Sequence, residues 1–323
     1  MPDRASWAFI AWAPYGRRSE TLARELDARM YFIHNLRFQE PFYAPLKYLI
    51  QTVRTARTLV RTRPRVVFAQ NPPFVCGLVV CGYCRLFGAR YVLDHHSDAF
   101  SRRWQWALPI QKFLARHAVT NLVTNVHWLE SVRSWPAEAF ILEDALPDFS
   151  DVAARTLSSG YNIVFINTFA DDEPLDAVLA AAAQLSSVNV YITGNKSRKP
   201  IEYYADLAPN IVFTDFLPDR EYFGLLTAAD AVMALTSRDY TLQGGGFEAV
   251  ALGKPLITSD WPYLRRLFAK GTVYVDNSPA GIRDGIVRMQ AAQEAMKKEM
   301  SAYAIEKRNE WRLRLHELLA MLR

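Results

Sequence analysis

The chain is poor in cysteine and lacks a long uncharged apolar segment. Its three cysteines are Cys76, Cys81 and Cys84. An odd number of cysteines without a recognisable pairing pattern disfavours structural disulfides. An iron–sulfur cluster is also disfavoured, because the fourth cysteine ligand is missing. We expect these cysteines to be small apolar residues of a buried helix. No run of about 18 uncharged apolar residues occurs, so no membrane-spanning helix is predicted.

A strong excess of one charge is also absent. The net charge is +5, half of the residues are apolar and 22% are charged. This balance favours anionic ligands or an acidic membrane surface and is too weak to indicate nucleic acid, for which no RNA-binding or zinc-finger motif is present. The chain enters a strand-like run at Trp7 without a secretory signal pattern, so we expect a cytoplasmic protein.

The sequence does contain a strand–helix alternation that occurs twice. Strand-like runs such as residues 7–12 and 65–69 alternate with helical ones, and the pattern restarts at Tyr161. Alternation of this kind is typical of parallel sheets with helices on both faces. We therefore predict an α/β fold with two Rossmann-like parallel-sheet domains, residues 1–150 and 151–300, facing each other across a cleft. Residues 301–323 are predicted to form a helix that returns to the first domain.

The loops that follow the predicted strands carry glycines and polar residues. Ligands of such sheets bind beyond the carboxyl ends of the strands, so these loops are expected to border the cleft. A nicotinamide dehydrogenase would need Gly-x-Gly-x-x-Gly after an early strand. The loop after the first strand contains only Gly16, which excludes that class.

The most informative segment contains Gly244, Gly245 and Gly246, followed by Glu248 and by Gly253-Lys254-Pro255. Glycine allows the backbone to approach a ligand closely, and the amides of a helix N-terminus attract phosphate. We predict Glu248 in the first helical turn, where a carboxylate can hold a pair of sugar hydroxyls. Together these features suggest a nucleotide-sugar. The alternative is a tight turn in which the glycines serve packing alone.

Five segments of the C-terminal half follow one another in a recognisable order: Asn167-Thr168-Phe169, Tyr191-Ile192-Thr193-Gly194-Asn195, Thr214-Asp215-Phe216-Leu217-Pro218, Gly246-Phe247-Glu248-Ala249 and Gly253-Lys254-Pro255. Through these segments the chain resembles the GT-B-fold glycosyltransferases, and its C-terminal half resembles family 4 of these enzymes. The N-terminal half resembles the chitobiosyldiphosphodolichol beta-mannosyltransferases and their bacterial relatives, through Gln70-Asn71-Pro72-Pro73 and Leu93-Asp94-His95-His96.

The resemblance implies a donor site in the C-terminal half. Gly244, Gly245 and Gly246 would offer amides to the diphosphate, and Glu248 would bind the ribose. Leu217 would lie near the base, His96 would lie under the donor sugar, and Gly194 ends a strand on the donor side.

Two family features are altered in this chain. The first acid of the family's usual pair falls on Tyr240, which leaves Asp239 as the substitute. The family's diphosphate-binding Arg and Lys are replaced by residues that include Asp171 and Asp172. Lys196 and Arg238 are the candidate replacement cations.

Glycosyl transfer requires removal of a proton from the acceptor hydroxyl, and Asp94, His96 and Asp98 are candidates for that step. Residues predicted on the acceptor side are Gly16, Arg17, Asn71 and Arg102. No metal or other cofactor is expected, because oxygen-rich acid clusters with suitable spacing are lacking.

The predicted donor is a UDP- or GDP-sugar, and the predicted acceptor is a glycan or a polyprenyl-diphosphate-linked glycan. A helix at residues 45–62 carries Lys47, Arg54, Arg57 and Arg61 beside an apolar stripe. Either this stripe faces the core, or the helix contacts an anionic membrane. Two other functions stay open, a nucleotide-sugar 2-epimerase and a non-catalytic nucleotide-binding subunit.

Overall fold

The structure is a computed structural model that describes residues 6–34, 44–149, 152–241 and 243–322. The chain divides into two compact units, which we call unit 1 (Met1–Ala145 with Trp311–Arg323) and unit 2 (Leu146–Glu310). Each unit contains one six-stranded sheet, and every pair of neighbouring strands is parallel. The predicted α/β class and the two Rossmann-like sheets are therefore confirmed.

In unit 1 the strand order is β2-β1-β3-β4-β5-β6. The strands are β1 (Trp7–Ala11), β2 (Arg29–Phe32), β3 (Val66–Asn71), β4 (Arg90–His95), β5 (Thr120–Val123) and β6 (Ala139–Ile141). The helices are α1 (Arg17–Glu25), α2 (Ala44–Thr62), α3 (Phe74–Phe87), α4 (Leu108–His117) and α5 (Val126–Arg133), with 3-10 turns at Ser97–Phe100 and Arg102–Ala107.

In unit 2 the strand order is β12-β11-β10-β7-β8-β9. The strands are β7 (Tyr161–Phe165), β8 (Val188–Thr193), β9 (Ile211–Asp215), β10 (Ala231–Ala234), β11 (Leu256–Ser259) and β12 (Thr272–Val275). The helices are α6 (Leu175–Ala182), α7 (Asp219–Ala228), α8 (Gly244–Ala251), α9 (Pro262–Leu267), α10 (Pro279–Ala291) and α11 (Gln293–Met321), with 3-10 turns at Lys196–Arg198 and Ile201–Tyr204.

The central strands are mostly apolar and largely buried because both faces of each sheet are covered there. All five residues of β1 and all five of β7 are buried, which is the pattern of a parallel sheet between helical layers. Helix α3 lies on such a face. Its three cysteines are buried, as predicted, and burial raises the pKa of the Cys84 thiol to about 12. The helix ends at Gly88 in the left-handed conformation, with φ 67°, where glycine is favoured.

Four short elements were not predicted from the sequence, namely α4, α5, β6 and α9. Helices α4 and α9 have proline in the first turn, a position that proline tolerates well. Strand β6 has only three residues, too few for an alternation pattern to be recognised. The helix predicted over residues 301–323 is the second part of the longer helix α11, which begins at Gln293.

Helix α11 contributes to both cores. Its first part belongs to unit 2, whereas the residues from Trp311 onward belong to unit 1. There Leu315, Leu318 and Leu319 pack in a cluster that includes Phe9 and Phe68. Residues more than 300 positions apart by number, such as Phe9 and Leu318, therefore stabilise the same core.

We predict that Leu318→Ala destabilises unit 1 by about 2–5 kcal/mol, since Leu318 is fully buried and truncation leaves a cavity. Leu313→Ala is the matched control, because Leu313 is 66% exposed on the same helix and its truncation should cost less than about 0.5 kcal/mol. Urea unfolding monitored by tryptophan fluorescence measures both. Equal midpoints for the two variants would contradict the packing of α11 described above.

Candidate functional site

The predicted residues of unit 1 gather at the carboxyl edge of its sheet. Gly16 precedes α1 in the loop after β1, Asn71 is the last residue of β3, and His96 follows β4. These three strands are neighbours in the sheet. The sequence therefore located this edge of unit 1 correctly.

A buried ion-pair cluster organises this edge. Arg18 Nη2 donates to Asp94 Oδ1 over 2.8 Å and Arg18 Nη1 to Asp144 Oδ1 over 2.5 Å, while Nη2 also donates to the Leu142 carbonyl. The Asp94 side chain has no exposed surface, and that of Arg18 is 9% exposed. His96 Nε2 lies 3.3 Å from Asp94 Oδ2, with 30% of its side chain exposed. Asp94 thus connects a buried guanidinium to an accessible imidazole.

This environment disfavours a proton-accepting role for Asp94, and that role stays a prediction. Burial alone would raise the pKa of Asp94, but the charges of Arg18 and His96 outweigh it and hold the pKa well below its usual range. A carboxylate with such a pKa is a poor proton acceptor at neutral pH. Asp94 Oδ2 instead lies at ion-pair distance from His96 Nε2, without hydrogen-bond geometry between them. Arg18 and Asp144 were not predicted, because only the fold brings them to Asp94.

A second polar network lies beneath this edge. His95 is buried, with Nδ1 2.9 Å from Asn71 Nδ2 and Nε2 2.9 Å from Asn121 Oδ1. Asn71 Nδ2 also donates to Gln111 Oε1 over 2.9 Å. An amide donor on Nδ1 and an amide acceptor on Nε2 favour the neutral tautomer protonated at Nε2. Asn71, predicted on the acceptor side, is buried and part of this network. Its acceptor-side role stays a prediction.

The other candidates of unit 1 lie nearer the surface. Asp98 Oδ2 accepts a hydrogen bond of 3.0 Å from Trp104 Nε1, which ties it to the following 3-10 turn. Arg17 is half-buried at the start of α1, and Arg102 is exposed. Catalytic or acceptor roles for these residues stay predictions.

The donor-side candidates of unit 2 gather at the carboxyl edge of the second sheet. Gly194, Leu217 and Gly244 follow β8, β9 and β10 respectively. Gly194 has φ +104°, and a Cβ there would lie 2.3 Å from the Asn167 carbonyl oxygen. Its glycine is therefore explained by the turn itself. Leu217 is half-buried and packs against the core of unit 2.

The three glycines of α8 do not have equal roles. A Cβ on Gly245 would lie 2.7 Å from Ile166 Cδ1, and one on Gly246 would lie 2.3 Å from the Phe268 ring. The Gly246 amide donates to the Gln243 carbonyl over 3.0 Å. Packing explains these two glycines, whereas a Cβ on the exposed Gly244 would meet nothing within 4 Å. The Gly246 amide is thus already engaged within its own turn, which disfavours its predicted contact with a diphosphate. The amides of Gly244 and Gly245 are the first two of the helix.

Glu248 lies deeper than predicted. Helix α8 begins at Gly244, so Glu248 is its fifth residue and not part of the first turn. The residue is 6% exposed, and its Oε2 accepts a hydrogen bond of 2.5 Å from the Tyr222 hydroxyl of α7. A buried, oriented carboxylate of this kind is a suitable partner for ligand hydroxyls.

The loop after β7 explains the absence of the family's cations there. The Glu173 carboxylate accepts hydrogen bonds from the amides of Thr168 and Ala170 over 2.7 and 3.1 Å. Asp172 Oδ2 accepts from the Thr236 hydroxyl over 2.7 Å, and Arg238 Nη2 lies 3.7 Å from Asp172 Oδ1. The chain's own carboxylates therefore engage this loop, and Arg238 is partly neutralised.

The remaining candidates of unit 2 are held by local contacts. The Lys196 ammonium lies 5.6 Å from the centre of the Tyr204 ring, and the Lys196 amide donates to Asp215 Oδ1. Asp239 Oδ1 accepts from the Tyr240 amide over 2.7 Å. Within the described ranges, no group of three His, Cys, Asp or Glu side chains is placed to hold a metal ion.

Comparisons with known proteins agree with this architecture. Residues 176–320 match a protein-family model described as Glycosyl transferase-like. HepE from Anabaena, solved with UDP-glucose, is similar with a TM-score of 0.69 and 12% identity over 96% of this chain and 99% of that one. Sucrose-phosphate synthase from Thermosynechococcus elongatus gives a TM-score of 0.71 and 13% identity over 98% of this chain and 88% of that one. No curated protein matches the sequence.

A glycosyltransferase from Rickettsia africae is also similar, with a TM-score of 0.64 and 12% identity over 95% of this chain and 87% of that one. The chain has the GT-B fold of these proteins, and its C-terminal part carries a glycosyl transferase-like domain. The resemblance to family 4-like glycosyltransferases is supported, and so is the assignment to the glycosyltransferases.

We predict that the stability of the protein falls by about 2 kcal/mol between pH 7 and pH 5 because of His95. Burial lowers the pKa of His95 to about 4, although Asn121 and Asp94 act in the opposite direction. The unfolded chain, with a histidine pKa near 6.5, therefore binds a proton in this window while the folded chain does not. Urea unfolding at several pH values measures the difference.

His95→Gln should be less stable at pH 7 and should lose this pH-dependent component. His316→Gln is the control, since His316 is exposed on α11, and it should follow the wild-type profile. A His95→Gln profile parallel to that of the wild type would show that His95 is not held neutral.

Proposed function

We propose that the protein transfers a sugar from a UDP- or GDP-sugar to a glycan or polyprenyl-diphosphate-linked acceptor, without a metal ion, in the synthesis of a surface polysaccharide or glycolipid. The observation that carries this proposal is the buried Glu248 carboxylate on the glycine helix, at the carboxyl edge of the second sheet. A lipid-linked acceptor would be used from the cytoplasm, at the inner face of the membrane.

Unit 2 provides the donor-binding groups in this proposal. Glu248, oriented by Tyr222, accepts hydrogen bonds from the ribose hydroxyls. The amides of Gly244 and Gly245 point from the start of α8 and bind the diphosphate, an arrangement favoured by the helix dipole. Lys196 and Arg238 supplement these amides, and Leu217 contacts the base. UDP and UDP-glucose bound to HepE support a nucleotide-sugar donor.

Unit 1 provides the group that accepts the proton. The acceptor oxygen forms a bond to the anomeric carbon, the bond from that carbon to the diphosphate breaks, and the acceptor's proton passes to His96. Asp94 lies 3.3 Å from His96 Nε2 and would hold a proton on that nitrogen, leaving Nδ1 as the base. Arg18 keeps Asp94 ionised, so its role is positional. The negative charge left on the nucleotide diphosphate is stabilised by fixed amides and cations.

We predict that UDP or GDP raises the melting temperature of the wild type, because a ligand bound by the native state alone stabilises it. Glu248→Gln should weaken this binding about tenfold or more, since a hydrogen bond to a charged group contributes about 1.5–3 kcal/mol. Tyr222→Phe should have a smaller effect in the same direction. Thermal shift followed by calorimetry measures the dissociation constants.

Glu294→Gln is the matched control for nucleotide binding, because Glu294 is exposed on α11. It should bind as the wild type does. If Glu248→Gln remains folded and binds UDP and GDP with unchanged affinity, Glu248 does not belong to the donor site.

We predict turnover of a UDP- or GDP-sugar in the presence of a polyprenyl-diphosphate-linked glycan, with equal rates with and without EDTA. His96→Ala should lower kcat about 100-fold or more through loss of the general base, whereas His316→Ala should not change it. Chromatography of nucleotide and glycan products measures the reaction.

The same assay separates the two alternative functions. Isomerisation of the donor without an acceptor would identify a 2-epimerase. Nucleotide binding without turnover of any donor–acceptor pair would favour the non-catalytic subunit, which the carboxylate-rich loop after β7 keeps as an alternative.

A further inference from the structure

Helix α2 presents its apolar stripe to solvent. The stripe consists of four side chains separated by three, four and seven positions: Leu46, Leu49, Val53 and Val60. Their exposed fractions are 58%, 61%, 59% and 47% in that order. Ile50 extends this stripe. A contiguous row of exposed large aliphatic side chains is unusual on a protein surface and marks an interaction site.

The opposite face of α2 packs against the rest of unit 1 and includes two buried polar side chains. Gln51 and Thr55 are 1% and 0% exposed. Gln51 Nε2 donates to the Ile33 carbonyl over 2.8 Å, and the Thr55 hydroxyl accepts from Trp12 Nε1 over 2.9 Å. Leu59 is fully buried on the same side. These contacts fix the rotation of the helix, so Leu46 and Leu49 point outward while Gln51, Thr55 and Leu59 point inward. The core-facing alternative for the stripe is therefore wrong.

The charges beside the stripe all have one sign. Helix α2 contains Lys47, Arg54, Arg57 and Arg61 and no Asp or Glu. Long basic side chains at the edge of an apolar stripe can reach phosphate groups while their stems cover apolar surface. A protein–protein interface has a polar rim, whereas the charged side chains of α2 are all basic, which fits an anionic lipid surface.

A second segment extends this surface. Burial lowers the pKa of Lys47 below its ordinary value, and the charge of Arg103 lowers it further. Arg103 therefore lies near Lys47. Trp106 is 69% exposed and packs edge-on against Phe74, with ring centres 5.4 Å apart. An exposed tryptophan beside cations is typical of a membrane–water interface.

We propose that the exposed face of α2, with Arg103 and Trp106, binds the surface of an anionic phospholipid bilayer. The stripe enters the boundary between headgroups and acyl chains, and the cations contact lipid phosphates. Among the helices of the described part, none is long and apolar enough to cross a bilayer. The inference adds a docking surface to the proposed use of a lipid-linked acceptor, although it depends on the fold of unit 1 alone.

Vesicle flotation tests this surface. The wild type should float with vesicles of equal parts phosphatidylcholine and phosphatidylglycerol, bind phosphatidylcholine vesicles less, and lose binding as salt is added. Leu49→Ser with Val53→Ser should reduce binding to the anionic vesicles about tenfold or more. Arg57→Gln with Arg61→Gln should reduce binding to the anionic vesicles roughly 10- to 30-fold, since each cation near an anionic surface raises the affinity about fivefold.

Two matched double variants remove equivalent groups elsewhere. Ile305→Ser with Leu313→Ser removes two aliphatic side chains that are 63% and 66% exposed. Lys298→Gln with Arg312→Gln removes two exposed charges. Both controls should bind vesicles as the wild type does. All variants should keep the wild-type melting temperature within a few degrees, because surface changes usually cost less than 0.5 kcal/mol.

The proposal is overturned if the wild type does not float with anionic vesicles, or if the two α2 variants float as well as the controls. Analytical sedimentation tests whether a second copy of this chain covers the exposed face of α2 instead of a bilayer. Self-association of the wild type that is lost in Leu49→Ser with Val53→Ser, without vesicle binding, would identify the face as a contact between copies. Flotation requires no donor or turnover, so an inactive protein that floats would refute the proposed function and leave this surface intact.

Discussion

Both sheets are covered on their two faces, and this constraint determines where chemistry can occur. Buried parallel strands tolerate few unpaired polar groups, so polar side chains concentrate where strands end. Asp94 is the next-to-last residue of β4 and its carboxylate is fully buried, so its charge requires a partner. Arg18 compensates its charge, and removal of one partner would leave the other uncompensated. The position of His96 therefore depends on an ion pair made with the first helix of the chain.

The sequence located the carboxyl edges of both sheets, because apolar runs and the loops after them are local features. It did not identify Arg18 as the partner of Asp94, since 76 positions separate the two. It also could not show that Gly246 makes room for Phe268. Glu248 was recognised as a candidate but placed one turn too early, because glycine-rich sequence gives no clear signal for the first residue of a helix.

Helix α2 illustrates a further limit of sequence patterns. Periodicity shows that a helix has an apolar face, but the direction of that face depends on contacts with other elements. Here Trp12 and the Ile33 carbonyl provide hydrogen-bond partners for Thr55 and Gln51. Thr55 Oγ1 and Gln51 Nε2 are thereby paired inside, whereas the buried Gln51 Oε1 has no hydrogen-bond partner among the described residues. The same rotation leaves Leu46 and Leu49 exposed on the surface of unit 1.

Helix α11 divides between the two units, so unit 1 is discontinuous in the chain while unit 2 is a single stretch. During synthesis, the strands of unit 1 emerge first but lack Leu315, Leu318 and Leu319 from their core. Domains generally fold as units as they leave the ribosome. Unit 2 therefore has all of its core residues available before unit 1 does, and until the last helix arrives the nascent first sheet exposes an apolar surface that chaperones can bind.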